Sequence, residues 1–210
     1  MQKRLAEIQY LRYFLSHPIN GFWEIKKEKR GSLFTALLLL GTYLLTTVLS
    51  AFLTSYVFNP YGDFVEEINV FGIFLPPLGI WLLWCVSSWC LTSLFDGEGS
   101  FYDICVATSY SMVPLILMNV LLIVLSHFLT LNEESMYLLV QGFCYLWFGM
   151  LLFLSALVTH QYSFTKTIAI VICTVLGMCI IMYIALLFIN LLQQMVSFGA
   201  VLYHEWTMRQ

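Results

Sequence analysis

The polar residues best spaced for chemistry form one short stretch, Asp96-Gly97-Glu98-Gly99-Ser100-Phe101, between two long apolar segments. Two glycines beside carboxylates suggest a phosphate loop, but such a loop needs Gly-Lys-Ser/Thr after a strand, and neither is present. A helical hairpin turn explains the stretch better, because glycine permits the backbone angles that a tight turn needs. We therefore expect Gly97 and Gly99 to supply such angles, and replacing both with valine should impair folding if the turn needs positive backbone angles. We also predict that Ser100 caps the following helix and that Asp103 completes the capping box.

Other groups that commonly carry catalysis or bind metals are scattered along the chain. The four histidines lie singly at the ends of segments, without the paired spacing of a metal site. There is no Gly-x-Ser-x-Gly element around a nucleophile. We therefore predict no catalytic residue, no metal site and no cofactor. We interpret the six cysteines as small apolar side chains within apolar segments; they are Cys85, Cys90, Cys105, Cys144, Cys173 and Cys179.

Charged residues are missing from the interiors of the long apolar segments. Buried carboxylates and lysines mark proton relays and ion pathways in membranes, so their absence argues against a proton- or sodium-coupled transporter. A passive channel or a lipid-handling groove near Pro114, Asn119 and Gln141 stays open. For Ser87, Ser88 and similar hydroxyl residues, close helix packing is the favoured interpretation over substrate contact.

These residues must be positioned by membrane-spanning helices. The chain is 60% hydrophobic and 10% charged, whereas soluble domains carry about 25% charged residues. We predict an all-α, polytopic membrane helical bundle with five transmembrane helices, in which Pro114 kinks the third. Each predicted span exceeds the roughly 20 residues that a bilayer crossing requires; the spans are about 33–58, 71–95, 104–130, 137–160 and 167–192.

We predict that residues 1–32 form a basic, amphipathic segment, which His17-Pro18 would divide into two short helices. The second helix places Ile19, Phe22, Trp23 and Ile25 on one side. Aromatic residues beside a basic cluster favour a helix in the headgroup layer over a free solvated tail. The residues predicted to contact the membrane surface are Trp23, Lys26, Lys27, Lys29 and Arg30.

Topology follows from the basic residues, seven of nine of which precede Leu33. The positive-inside rule predicts a cytoplasmic N-terminus, and five spans then place the Asp96 turn and the Lys166 link on that side. Residues 33–192 form the membrane domain. Residues 193–210 form a short tail, for which we expect an interfacial helix over residues 195–206 rather than a sixth crossing.

The central hairpin resembles the Yip1 domain family in its bacterial branch. The resemblance rests on residues 96–101, which match the family's G-x-G-S-[FY] turn, and on the Y-x-x-x-P of Tyr110 and Pro114 about ten residues later. The five-span plan and the His-Pro before a basic, aromatic entry segment are similar too. The residues that would form this structural or docking motif are Asp96, Gly97, Glu98, Gly99, Ser100, Phe101, Tyr110 and Pro114.

The resemblance implies a non-enzymatic integral membrane protein of the bacterial plasma membrane. Its expected partners are the lipid bilayer and another integral membrane protein or a second copy of itself, with no nucleic acid. We expect a membrane scaffold or accessory subunit, related to transport or trafficking. The alternative is a permease-like or lipid-handling membrane protein.

Overall fold

The computed structural model describes residues 14–15, 17–28, 31–55, 57–59 and 69–208. It has five helical segments that are long and apolar enough to cross a membrane, and no strand within that part of the chain. The predicted all-α bundle with five spans is thereby confirmed. The helices are α1 Pro18–Lys27, α2 Leu33–Leu53, α3 Val70–Leu94, α4 Phe101–Ser111, α5 Val113–Ser126, α6 Glu134–His160 and α7 Phe164–Met208, with a 3-10 turn at Leu131–Glu133 before α6.

The third span, α4 and α5, lies at the centre of the bundle. It packs against α2, α3 and α6, and 61% of it is buried, against 22% or less of the other four. The two helices meet at Met112, whose N–H bonds to the carbonyl of Ser109 at 3.2 Å. Pro114 has no N–H, and its ring would clash with the carbonyl of Tyr110 in a straight helix. The predicted break at Pro114 is thereby confirmed.

Helix α1 packs against the side of the bundle rather than standing apart from it. It begins at Pro18 and contacts α4 and α6. Phe22 and Ile25 are buried, whereas Ile19 and Trp23 are more than half exposed. The four apolar residues that we assigned to one side are therefore divided between the protein core and the outside. The helix expected before His17 lies almost wholly outside the described residues.

Small residues set the contact between α3 and α7. The Ser87 hydroxyl donates to the Thr174 carbonyl at 2.8 Å across this contact. A Cβ atom at Gly177 would lie 2.5 Å from the same hydroxyl oxygen, so a larger residue there would displace the hydroxyl from its bond. Small and hydroxyl-bearing residues let membrane helices approach closely, which confirms the packing role expected of Ser87.

The last helix is much longer than the sequence pattern predicts. Helix α7 has 45 residues and is therefore about 68 Å long, while the hydrocarbon core of a bilayer is roughly 30 Å thick. It does not end near residue 192 but continues through the expected tail. Residues 182–201 are all exposed, and we call them the arm. An interfacial position for the tail stays a prediction.

Candidate functional site

The turn between α3 and α4 is built differently from our prediction. The N–H of Gly97 bonds to the Thr92 carbonyl at 2.8 Å, as in the Schellman motif that closes many helices. The left-handed residue is Asp96, with φ of 54°, and no described glycine has a positive φ. The prediction of positive angles at Gly97 and Gly99 is wrong, because the carboxylate residue before them takes that conformation.

Both glycines are required by space instead of by backbone angle. A Cβ at Gly99 would lie 2.6 Å from Cε1 and 2.9 Å from Nδ1 of His160. At Gly97 it would lie 2.7 Å from the same Nδ1. The turn therefore presses its bare backbone against the end of α6, where any side chain would collide with the imidazole.

His160 is the residue around which the turn packs, and its role was missed from the sequence. It is 3% exposed, its Nδ1 accepts the Gly99 N–H at 3.3 Å, and its ring stacks on Tyr162 with centroids 5.4 Å apart. An isolated histidine at the end of a segment carries no pattern. The topology did hold a signal, because it placed the end of span four on the same side as the turn.

Two lysines bind backbone carbonyls at the C-terminal ends of membrane helices. Both lie at the end of the bundle that contains the turn, which we call the turn end. The Lys26 ammonium donates to the Thr159 carbonyl at 2.5 Å and pairs with the Glu98 carboxylate at 3.4 Å. The Lys166 ammonium donates to the Phe95 carbonyl at 2.9 Å. Cations are favoured at helix C-termini, where carbonyls lack partners and the helix dipole is negative.

Tyr162 adds a further bond to the C-terminal end of α3. Its hydroxyl donates to the Phe95 carbonyl at 3.3 Å, and the Lys166 ammonium lies 4.4 Å from its ring centroid. Burial, and then the nearby negative charge of Asp96, raise the pKa of the Tyr162 hydroxyl. The hydroxyl therefore keeps its proton and remains a donor.

The capping box predicted at the start of α4 is present. The Ser100 N–H and hydroxyl donate to the Asp103 carboxylate at 3.0 and 2.8 Å. The Asp103 N–H donates to the Ser100 hydroxyl at 3.3 Å. Next to it, the exposed Phe101 ring contacts Trp89 edge to face. The turn thus presents Asp96, Glu98 and Phe101 on the surface.

Tyr110 and Pro114 lie inside the protein, away from that surface. Tyr110 is fully buried, its hydroxyl is 3.1 Å from that of Thr35, and its ring meets Phe14 at 5.6 Å. Pro114 is also buried, at the first turn of α5. Of the residues proposed as one motif, the turn residues come together, whereas these two hold the core.

The residues expected at the membrane surface fall into three groups. Trp23 and Lys27 are exposed and remain candidates for headgroup contact. Lys26 is directed instead into the turn end, where it holds Glu98 and Thr159. Lys29 and Arg30 lie outside the described residues.

A cavity of about 500 Å³ lies at the bundle end opposite the turn. Asn119 and Gln141, expected to face a groove, both line it, but Pro114 does not. The Asn119 amide donates to the hydroxyls of Thr46 and Thr47, each at 3.2 Å. The cavity is further lined by residues from α2, α3, α5 and α6 and from the segment after α2: Tyr43, Ser50, Ala51, Thr54, Val57, Phe58, Asn59, Ile73, Met118, Leu122, Glu134, Tyr137, Leu138 and Tyr145.

The described ranges of the chain hold neither a cluster of three metal-ligating side chains nor a disulfide bond. All six cysteines are free thiols, of which Cys85, Cys105 and Cys144 are buried. The interpretation as buried apolar residues holds for these three, while Cys90 and Cys179 are exposed.

Comparison with known proteins decides the family. The Yip1 domain model matches residues 12–204, nearly the whole chain. The chain belongs to the Yip1 domain family. The match covers the entry helix, all five spans and the arm, so this Yip1 protein is an integral, multi-pass membrane protein. No curated protein and no solved structure gave a match.

Proposed function

We propose that this Yip1 protein is a non-enzymatic membrane scaffold or accessory subunit that binds another integral membrane protein. The observation that supports this function is the arm of α7. The bundle leaves all of residues 182–201 uncovered, and their length extends the helix well past what a bilayer crossing requires. An apolar helix that its own fold does not cover is suited to bind a helix of another protein.

The arm also carries the spacing that helix pairing requires. Apolar residues recur at alternating intervals of four and three, which is the seam of a coiled coil; they are Ile184, Phe188, Leu191, Met195 and Phe198. Polar residues lie away from this seam at Asn190, Gln193 and Ser197, interspersed with apolar residues such as Leu186 and Ile189, while Gln194 flanks the seam. The seam is thus suited to pack against a helix of a partner.

Photo-crosslinking in native membranes tests this function. A photoreactive phenylalanine analogue at Phe188 or Phe198 should give one discrete higher-mass product that contains a second protein. Leu146 on α6 is the matched control, since it is 76% exposed but belongs to the bundle and should label lipid alone. Equal labelling at the arm and at Leu146 would contradict the proposal.

We further propose that the turn end faces the cytoplasm of a bacterial cell, with the protein in the plasma membrane. Lys26 and Lys166 both lie at the turn end, which the positive-inside rule assigns to the cytoplasm. The five spans then put the C-terminus outside. Alkaline phosphatase fused after Gln210 should be active, and an inactive, fully expressed fusion would reverse the orientation.

The cavity supports a second candidate function, that of a lipid-handling protein. A volume of about 500 Å³ lies within the range of ligand pockets, and polar side chains line it at the depth of the spans. Reconstituted vesicles with a fluorescent lipid test this function: faster transfer between leaflets than in protein-free vesicles is expected, and an unchanged rate would exclude lipid transfer.

A further inference from the structure

We infer that the cavity opposite the turn end binds a primary ammonium group, such as the headgroup of an aminophospholipid or a free alkylamine. This deepens the second candidate function by giving its site a ligand class. Binding is measured without transport, so either idea can fail while the other stands.

The first argument is the charge of the lining. Glu134 contributes a carboxylate at the start of α6, and no lysine, arginine or histidine lines the cavity within the described part of the chain. The Glu134 carboxylate repels an anionic ligand, whereas a cation gains an ion pair with it. The cavity therefore selects against phosphate and for ammonium.

The second argument is the aromatic content of the lining. The rings of Tyr43, Phe58, Tyr137 and Tyr145 all line the cavity. Phe58 stacks on Tyr137 with centroids 4.8 Å apart and planes 16° apart, which holds both rings in place at the cavity. Aromatic faces attract cations through their quadrupole, and such rings around a pocket commonly bind organic ammonium groups.

The third argument is the hydrogen-bonding balance. The Asn119 amide nitrogen donates to Thr46 and Thr47, so its carbonyl oxygen is left as an acceptor. The Gln141 amide makes no hydrogen bond to any described residue, although it lines the cavity. A primary ammonium brings three donors and no acceptor, and the carboxylate and amide oxygens of the lining supply acceptors of the kind it needs. This preference separates a primary ammonium from a quaternary one, which has no N–H.

Native mass spectrometry of the full chain tests the inference. The protein is equilibrated in micelles with equal amounts of phosphatidylethanolamine and phosphatidylglycerol, and retained lipid is counted. We expect phosphatidylethanolamine to be retained, with Glu134→Gln reducing that retention roughly fivefold, as the loss of one half-open ion pair implies. Glu133→Gln is the matched control, because it removes the same charge one residue away and outside the cavity, while glutamine keeps an acceptor oxygen for the Thr130 N–H that Glu133 binds.

A second arm identifies the source of the ammonium group. Free ethanolamine is titrated against the protein, and its melting temperature is followed beside that of Glu134→Gln. A rise that the variant lacks supports a free amine as ligand, whereas retention of the lipid alone supports the headgroup. Equal retention of both lipids, or equal behaviour of Glu134→Gln and Glu133→Gln, would overturn the inference, as would no response in either arm.

Discussion

A turn can require glycine either for its backbone angle or for the space that a side chain would fill, and Gly99 is a case of the second kind. The usual explanation is a backbone angle that other residues avoid, and the sequence pattern suggested that explanation here. The structure gives a spatial reason, since a Cβ at Gly99 would lie within 3 Å of the His160 ring. The contact is between residues 61 positions apart, so local sequence does not reveal it.

Replacing Gly99 with alanine should destabilise the protein by about 1–3 kcal/mol, the usual cost of overpacking a filled site. The thermal melting temperature in detergent would show it. Gly149→Ala is the matched control, because nothing lies within 4 Å of a Cβ there and alanine favours the helix. Equal melting temperatures for the two variants would mean that the contact with His160 is not required.

Asp96→Gly should have the opposite effect. Asp96 is held at φ of 54°, a conformation in which glycine has no Cβ penalty. We expect a gain of about 0.5–1 kcal/mol in the free energy of unfolding, followed by denaturation at neutral pH. Gln161→Gly is a second case, since Gln161 has the same φ at the end of α6. A loss of stability in both variants would show that their side chains matter more than their backbone.

At the scale of elements, the two lysines attach helix ends to their neighbours. Lys26 joins α1 to the end of α6, and Lys166 joins α7 to the end of α3. Lys26→Met and Lys166→Met should each lower stability by about 1 kcal/mol, since carbonyls at a helix end lose a charged donor. Urea or thermal unfolding would measure the change.

Lys27→Met is the control for both variants, because Lys27 is exposed and adjacent to Lys26. It should leave the unfolding midpoint unchanged. If Lys27→Met were as destabilising as Lys26→Met, the effect would come from net charge at the membrane surface and not from the bond to Thr159.

Helices and their local signals were predictable from the sequence, and contacts between them were not. Long apolar runs, the break at Pro114 and the capping box of Ser100 and Asp103 each depend on neighbouring residues, so pattern alone finds them. Topology placed Lys26 and the turn on one side of the membrane, but it did not select Glu98 as the partner of Lys26. The packing of His160 against the turn depends on side-chain geometry between distant segments, which no periodicity reports.

At the scale of the whole molecule, we expect the bundle to fold without the end of the arm. Deleting residues 193–210 should leave the melting temperature of the bundle within about 2 °C, because the deleted part has no covered residue among those described. The same deletion should abolish the crosslinked product at Phe188 if the arm binds a partner. A collapse in stability would mean instead that the arm is needed for folding.

The length of α7 was beyond sequence prediction for a physical reason. Residues 164–208 contain no proline that would mark where the helix ends. The apolar run can therefore continue as helix past the thickness of a bilayer. Gln193 and Gln194 mark a change in polarity, and the pattern suggested an end there. Both residues are good helix formers, so the helix continues through them.

The two ends of the bundle differ in the side-chain bonds that join their helices, and this difference predicts where the helices separate first. At the turn end, side-chain bonds tie α1, α3, α6 and α7 together, whereas the other end surrounds a cavity. Local opening occurs where fewest contacts must break. Amide protons should therefore exchange fastest around the cavity and slowest beside His160. In this motion the helices separate at the cavity end and stay in contact at the turn end.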